Sequence, residues 1–197
     1  MFIKINEFTK QMKNAYKGAG LKIGKINDGL VIYSGHWLVW IDEKHVPNKI
    51  KAAVVELMGK LPDSKVIYDI SKERPEPQVC MSNGIEKILN KRKDKGSKLI
   101  ETPVILTESS DVRLYQNDNG MICALREEYK NMVDPMAIDY DTGESMPIGP
   151  CYSESFGSGL YWYNDFGFVL IMPVNIKNSA VVEALIHIDF GDEKNGQ

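Results

Sequence analysis

Residues 21–41 read LKIGKINDGLVIYSGHWLVWI. Three apolar runs stand out: Leu21–Ile26, Leu30–Ser34 and Trp37–Ile41. Their isoleucines, valines and aromatics suit a pleated, half-buried surface. Asn27-Asp28-Gly29 is a hairpin signal, because Asp-Gly tolerates positive φ. Ser34-Gly35-His36 turns the chain again. The stretch therefore predicts an antiparallel three-strand meander. Alternation along Trp37-Leu38-Val39-Trp40 puts the two indoles on opposite faces. Core packing is the plain reading for these aromatics; the functional alternative leaves one indole exposed to stack on a base or a peptide.

Helical periodicity flanks the meander. Met1–Ile5 alternates like a strand, and Asn6 can cap a following helix. Phe8, Met12, Ala15, Tyr16 and Ala19 then form one apolar stripe, stopped by Gly18 and Gly20. A second helix is expected from Pro47 to Gly59, with Ile50, Val54, Leu57, Met58 and Leu61 as its stripe. The strand Lys65–Ile70 follows. Pro75 and Pro77 mark a linker, dividing the chain at 1–78 and 79–197 unless it forms one compact domain.

Beyond the linker, Asn83-Gly84-Ile85-Glu86 resembles a capping box for a short helix carrying Ile85, Ile88 and Leu89. Strands are expected near Leu99–Thr107, Val112–Gln116 and Met121–Ala124, the last two around the turn Asn117–Gly120. Leu125, Tyr129, Met132 and Val133 mark a fourth helix, and Met136–Tyr140 a strand. Asp141–Gly159 reads as loop. Leu160–Tyr163 and Gly167–Ile176 form a hairpin, and Ser179–Ile188 is a short helix or a last strand. The class is α+β, with antiparallel sheets, about four helices and a second half that loosely repeats the first.

With 43% apolar and 26% charged residues, the 197-residue chain is globular in composition. It lacks the ~20-residue apolar run of a membrane span. Cys80, Cys123 and Cys151 form no C-x-x-C pair, so no disulfide framework or zinc site is expected, and the reading is cytoplasmic. The charge is uneven: residues 1–100 hold 19 basic and 11 acidic residues, whereas 101–197 hold 5 and 16. Such asymmetry favours a nucleic-acid partner for the first half, or head-to-tail self-association.

The catalytic templates are missing: no Walker loop, G-x-G-x-x-G, H-E-x-x-H or G-x-S-x-G. His36, His45 and His187 lack ligand spacing, and no metal or cofactor is expected. Cys151 would need a depressed thiol pKa to act as a nucleophile. Lysines recur on successive helices of an acidic protein, a pattern that suits phosphate. The candidate phosphate contacts are Lys10, Lys13, Lys17, Lys49, Lys51, Lys87, Lys91, Arg92 and Lys95. The candidate partner surface is Trp37, Trp40, Trp162, Met172 and Pro173.

The layout resembles the DNA sliding clamps, the processivity factors of replicative polymerases. Val46-Pro47-Asn48-Lys49-Ile50, running to Gly59-Lys60-Leu61-Pro62 and the strand Lys65–Ile70, looks like the second helix and following strand of a bacterial clamp domain. Phe168–Val174, with Met172-Pro173, looks like the closing strand, and Met1–Lys17 like the opening strand and helix. The resemblance implies clamp-like βαβββαβ repeats, helices facing duplex DNA, and a ring closed by neighbouring copies, since this chain is shorter than the three-domain bacterial clamp. The chain also has the look of a phage or mobile-element product. The leading expectation is a non-enzymatic, clamp-like protein on double-stranded DNA. The alternative is a protein-interaction module using exposed aromatics, and an unrecognised enzyme comes last.

Overall fold

The computed structural model describes residues 1–81, 84–94, 96–107, 110–138, 143–156, 158–176, 179–188 and 190. The expected meander is present as β1 (Leu21–Ile26), β2 (Gly29–Tyr33) and β3 (Trp37–Asp42), paired antiparallel in register. The turn that joins β1 to β2 departs from its sequence reading. The positive φ values belong to Asn27 (51°) and Asp28 (54°), not to Gly29. Gly29 is required instead by packing, because a Cβ there would lie 2.3 Å from the Trp40 ring.

Helix α1 (Ile5–Lys17) precedes the meander and α2 (Asn48–Met58) follows it. Pro47 is the residue before α2, and Gly59 ends it in the left-handed region at φ 81°. Gly59 matches the Gly-stop of helices, whereas Pro47 is the N-cap, one position before the first turn in which the sequence placed it. The opening strand expected at Met1–Ile5 is reduced to a bridge between Ile3 and Val133. The helix takes Ile5 because Lys4, not Asn6, is the capping residue. Asn6 lies inside α1, and its side chain accepts from Lys49 Nζ instead.

The remaining elements are β4 (Ile67–Ile70), β5 (Gln78–Cys80), α3 (Ile85–Asn90), β6 (Ser97–Thr107), β7 (Asp111–Asn117), β8 (Ile122–Arg126), α4 (Glu127–Lys130), β9 (Ile148–Ser153), β10 (Gly159–Tyr163), β11 (Gly167–Ile171) and α5 (Ser179–Ile186). The α+β class stands, but the strands form one antiparallel sheet of eleven, ordered β5-β4-β1-β2-β3-β11-β10-β9-β6-β7-β8. Strands from both sides of residue 78 share it. The described residues include five α-helices, the fourth a single turn. Met136–Ile138 is not a strand, and Tyr140 lies outside the described residues. The stretch read as loop contains β9, which is short of side-chain alternation and owes its place to the ladder with β10. Of the two readings of Ser179–Ile188, the short helix is observed.

Alternation along the strands builds two cores. Leu21, Ile23, Ile32, Trp37, Val39, Ile41, Leu160, Trp162, Val169 and Ile171 face α1 and α2. Val31, Leu38, Trp40, Tyr161, Phe168 and Leu170 face the other way, under α3. Strand β6 pairs with β9 through Ser97 and Lys98 and with β7 from Leu99 onward. Its register shifts between Glu101 and Ile105. Buried Thr102 fills that irregularity: its hydroxyl donates to Leu114 O (3.0 Å) and accepts from Val104 N (3.3 Å). A bulge bends and twists a strand, and beyond this one a third cluster forms around Leu114, Ala124 and Leu185. No helix among the described residues is long and apolar enough to cross a membrane.

Candidate nucleic-acid face

Two side-chain contacts set the relation of the first two helices. Lys49 Nζ donates to Asn6 Oδ1, and Lys13 Nζ meets Glu56 Oε1 at 2.8 Å. Asn6 and Lys13 are seven residues apart, as are Lys49 and Glu56, so α1 and α2 run side by side and parallel. Their inner stripes are buried: Phe8 and Met12 on α1; Ile50, Ala53, Val54 and Met58 on α2. Phe8, Met12 and Trp37 meet in the same cluster, Phe8 edge-on to the indole at 5.6 Å.

The outer side of the pair carries the lysines. Lys10 and Lys17 are exposed, and Lys13 is half-exposed. At a 100° advance per residue the three lie within one narrow sector of α1, opposite Phe8. Lys49 is exposed on α2, whereas Lys51 is half-buried in a depression with Leu30, Val46, Leu61 and Pro62. The carboxylates on this side are Glu7, 3.8 Å from Lys10, and Glu56. Among the described residues neither Lys17 nor Lys49 is in a salt bridge.

The basic residues of α3 do not join them. Ile85 and Leu89 seat that helix on the Trp40 side of the sheet, opposite α1 and α2. Lys87 and Lys91 are exposed there. Arg92 lies over the Trp40 ring at 4.2 Å and donates to Leu89 O at 2.8 Å, so it is partly a packing residue. Burial lowers its pKa, and Asp42 opposes that shift. Lys95 lies outside the described residues.

The tryptophans pack in the core, and the alternative of an exposed stacking surface is corrected. Trp37, Trp40 and Trp162 are 3%, 2% and 2% exposed. The two faces were assigned correctly, but both faces of the central sheet are covered. Met172 and Pro173 are half-buried where the chain leaves β11. Cys151 is buried as well; burial raises its thiol pKa against the pull of Lys98, the reverse of what a nucleophile needs. Among the described residues no three His, Cys, Asp or Glu side chains are grouped to hold a metal ion.

A groove runs along the other flank of α1. One part, about 480 Å³, lies between Glu7, Lys10, Gln11 and the β7–α4 region at Asp111, Arg126 and Glu127. The next, about 210 Å³, shares Gln11 and Glu128 with it and ends at Trp37, His36 and Tyr129. His36 stacks on Tyr129 at 5.7 Å. Buried Gln11 closes the floor by donating to Glu128 O at 3.3 Å. Behind the first part, Arg113 is paired with Glu127 and sits 3.3 Å from Glu101, which also meets Lys130 at 3.3 Å. Burial, then the Glu101 and Glu127 carboxylates, push the Tyr115 phenol upward. No sequence pattern announced this groove, because its walls come from residues about a hundred positions apart.

The chain matches no known protein family, no characterised protein and no solved structure.

Proposed function

We propose that the chain is a non-enzymatic protein that associates with double-stranded DNA, its α1–α2 face meeting the phosphates. The observation that carries the reading is the side-by-side helix pair with Lys10, Lys13, Lys17 and Lys49 outward, where, among the described residues, Glu7 and Glu56 are the carboxylates in salt bridges with them. Lysines of this kind release counterions on binding and read no bases. The likeness to sliding clamps has two supports: paired helices on one face of a sheet, and an element order that repeats. Residues 5–70 run helix, three strands, helix, strand, and so do residues 85–153. A ring closed head to tail by the basic and acidic halves of neighbouring copies belongs to the same reading.

The test is a salt titration of duplex binding. Four phosphate contacts give a slope of log K against log salt of about −3.6. Lys17→Ala and Lys49→Ala should each lower its magnitude by about 0.9, while Lys87→Ala and Lys91→Ala leave it unchanged. No binding at low salt, or a slope that follows only the α3 lysines, overturns the reading.

A second reading, a protein-interaction module, has one observation of its own. Strand β5 is a sheet edge, and Val79 and Met81 are 71% and 82% exposed there. Its surface would be this edge rather than the tryptophans. Val79→Lys should then abolish partner capture without changing DNA affinity.

A further inference from the structure

A second repeat is written in the residues themselves. Residues 29–41 and 159–171 align without a gap, with Gly29, Leu30, Tyr33, Val39 and Ile41 matched by Gly159, Leu160, Tyr163, Val169 and Ile171. The match continues beyond the strands. Pro47, Ile50 and Lys51 recur as Pro173, Ile176 and Lys177, and Ala53-Val54-Val55-Glu56 recurs as Ala180-Val181-Val182-Glu183. The two hairpins also pair alike. Leu30 is opposite Ile41 and Ile32 opposite Val39 in β2–β3; Leu160 is opposite Ile171 and Trp162 opposite Val169 in β10–β11. A Cβ on Gly29 would lie 2.3 Å from Trp40, and one on Gly159 would lie 2.4 Å from Leu170, the residue that matches Trp40. Val39 and Val169 are partners across β3 and β11, which puts an approximate two-fold axis between the hairpins.

Helices α2 and α5 are therefore counterparts, and their inner stripes are in phase. Val54 and Met58 of α2 lie in the core that α1 also covers; Val181 and Leu185 of α5 lie in the third cluster, on β7 and β8. The flank of α2 beside that stripe is occupied by α1. Lys49, Ala53 and Glu56 fall on one side of the helix. Lys49 Nζ donates to Asn6 Oδ1, Glu56 meets Lys13 Nζ at 2.8 Å, and Ala53 between them is buried. Facing it on α1, buried Thr9 lies between Asn6 and Lys13. The matching flank of α5 carries Ala180, Glu183 and Ala184, and all three are exposed. Among the described residues no helix lies between α4 and β9 to stand in for α1, and Glu183 is in no salt bridge.

We infer that the flank of α5 formed by Ala180, Glu183 and Ala184 is a docking surface for a basic amphipathic helix of another protein, laid along α5 as α1 lies along α2. The pair inside this chain specifies the partner. It carries a small side chain where α1 has Thr9, so that it can approach the two alanines closely. One turn further on it carries a lysine or arginine, which meets Glu183 as Lys13 meets Glu56. The surrounding charge favours the same partner, since residues 101–197 hold 5 basic against 16 acidic residues. A second copy does not supply this helix: its α1 is already seated on its own α2, with Lys13 on Glu56, and two α5 flanks would set Glu183 against Glu183. The inference is independent of DNA binding.

The test uses the full chain and a peptide of residues 5–17. Isolated helices of this length are marginal in water, so the peptide is stapled between Lys10 and Asn14, which are exposed on α1. Fluorescence anisotropy gives its affinity, and amide shifts of the isotope-labelled chain locate it. The expected result is saturable binding with shifts at Ala180, Glu183 and Ala184. Glu183→Lys should weaken binding by about fivefold or more, and Glu56→Lys should leave it unchanged. A Lys13→Glu peptide should bind the Glu183→Lys chain better than the wild-type chain. No binding of the stapled peptide, shifts confined to α2, or equal affinity for wild type and Glu183→Lys overturns the inference. So does a wild-type dimer built on this flank. Three of these outcomes are read on the wild-type chain, so failure of a variant to fold does not protect the inference.

Discussion

Replacing Gly29 with alanine should cost this protein about 3 kcal/mol, and the reason lies outside the turn in which the glycine sits. The added Cβ would lie 2.3 Å from Trp40 Cε2 and Nε1 and 2.6 Å from Cζ2, whereas carbon atoms pack at roughly 3.5 Å. The indole would have to withdraw by about 1 Å. It is 2% exposed, its Nε1 donates to Ile26 O at 3.0 Å, and Arg92 lies over its ring at 4.2 Å. Overpacking costs about 1–3 kcal/mol, a lost buried hydrogen bond about 1, and a disturbed cation–π contact about 0.5–1. Reduced freedom of the unfolded chain returns about 0.5–1 kcal/mol. For a chain of this size the net loss lowers Tm by about 6–12 °C. Urea unfolding followed by far-UV circular dichroism measures it. A Trp40→Val background supplies the control, since removing the ring should remove most of the penalty. Asp28→Gly, at a position where φ is 54°, should be tolerated. If Gly29→Ala unfolds within 0.5 kcal/mol of wild type, or its cost is the same without the indole, the packing argument is wrong.

Three further outcomes follow from buried polar groups. Glu144 is 6% exposed, meets the Met1 ammonium at 3.0 Å and accepts from Asn164 Nδ2 at 2.8 Å; Glu144→Gln should cost about 3 kcal/mol in urea unfolding. Thr102→Val leaves Leu114 O and Val104 N without the hydroxyl that bridges them, and should cost about 1–3 kcal/mol, with hydrogen exchange accelerated in β6 and β7. Burial pushes the Cys123 thiol up from 9.0 to about 11. A raised folded pKa holds its full contribution below the unfolded value and loses it as pH rises through the folded one. Wild-type stability should therefore fall between pH 9 and 11, with up to about 2 kcal/mol of the fall absent in Cys123→Ala; equal slopes in the two proteins would assign the alkaline loss to other groups.

Much of the architecture was legible because it is written in local patterns. The meander at residues 21–41, the ends of α2 at Pro47 and Gly59, and the opposite-facing tryptophans follow from periodicity and backbone chemistry alone. The same locality explains the misses. Met1–Ile5 alternates as a strand should, but its pairing stops at one bridge, Ile3 to Val133, flanked by the bonds from Asp134 N to Phe2 O and from Lys4 N to Met132 O. β9 carries a Gly-Pro pair and little alternation, and it is a strand because β10 and β6 accept it on either side.

The same division holds for the candidate sites. Lysines at positions 10, 13 and 17 had to share one face of a helix, whatever the fold. Whether that face joins α2, and whether α3 joins both, depends on which side of the sheet each helix covers, and residue order does not encode that. Burial of all three tryptophans also had to await the sheet, since an indole is exposed only if nothing is packed on its side, and here both sides are filled. The glycine beside Asp28 was visible from the start as a turn residue. Only the tertiary structure supplied its reason, because the ring that excludes every larger side chain comes from a strand eleven residues further on.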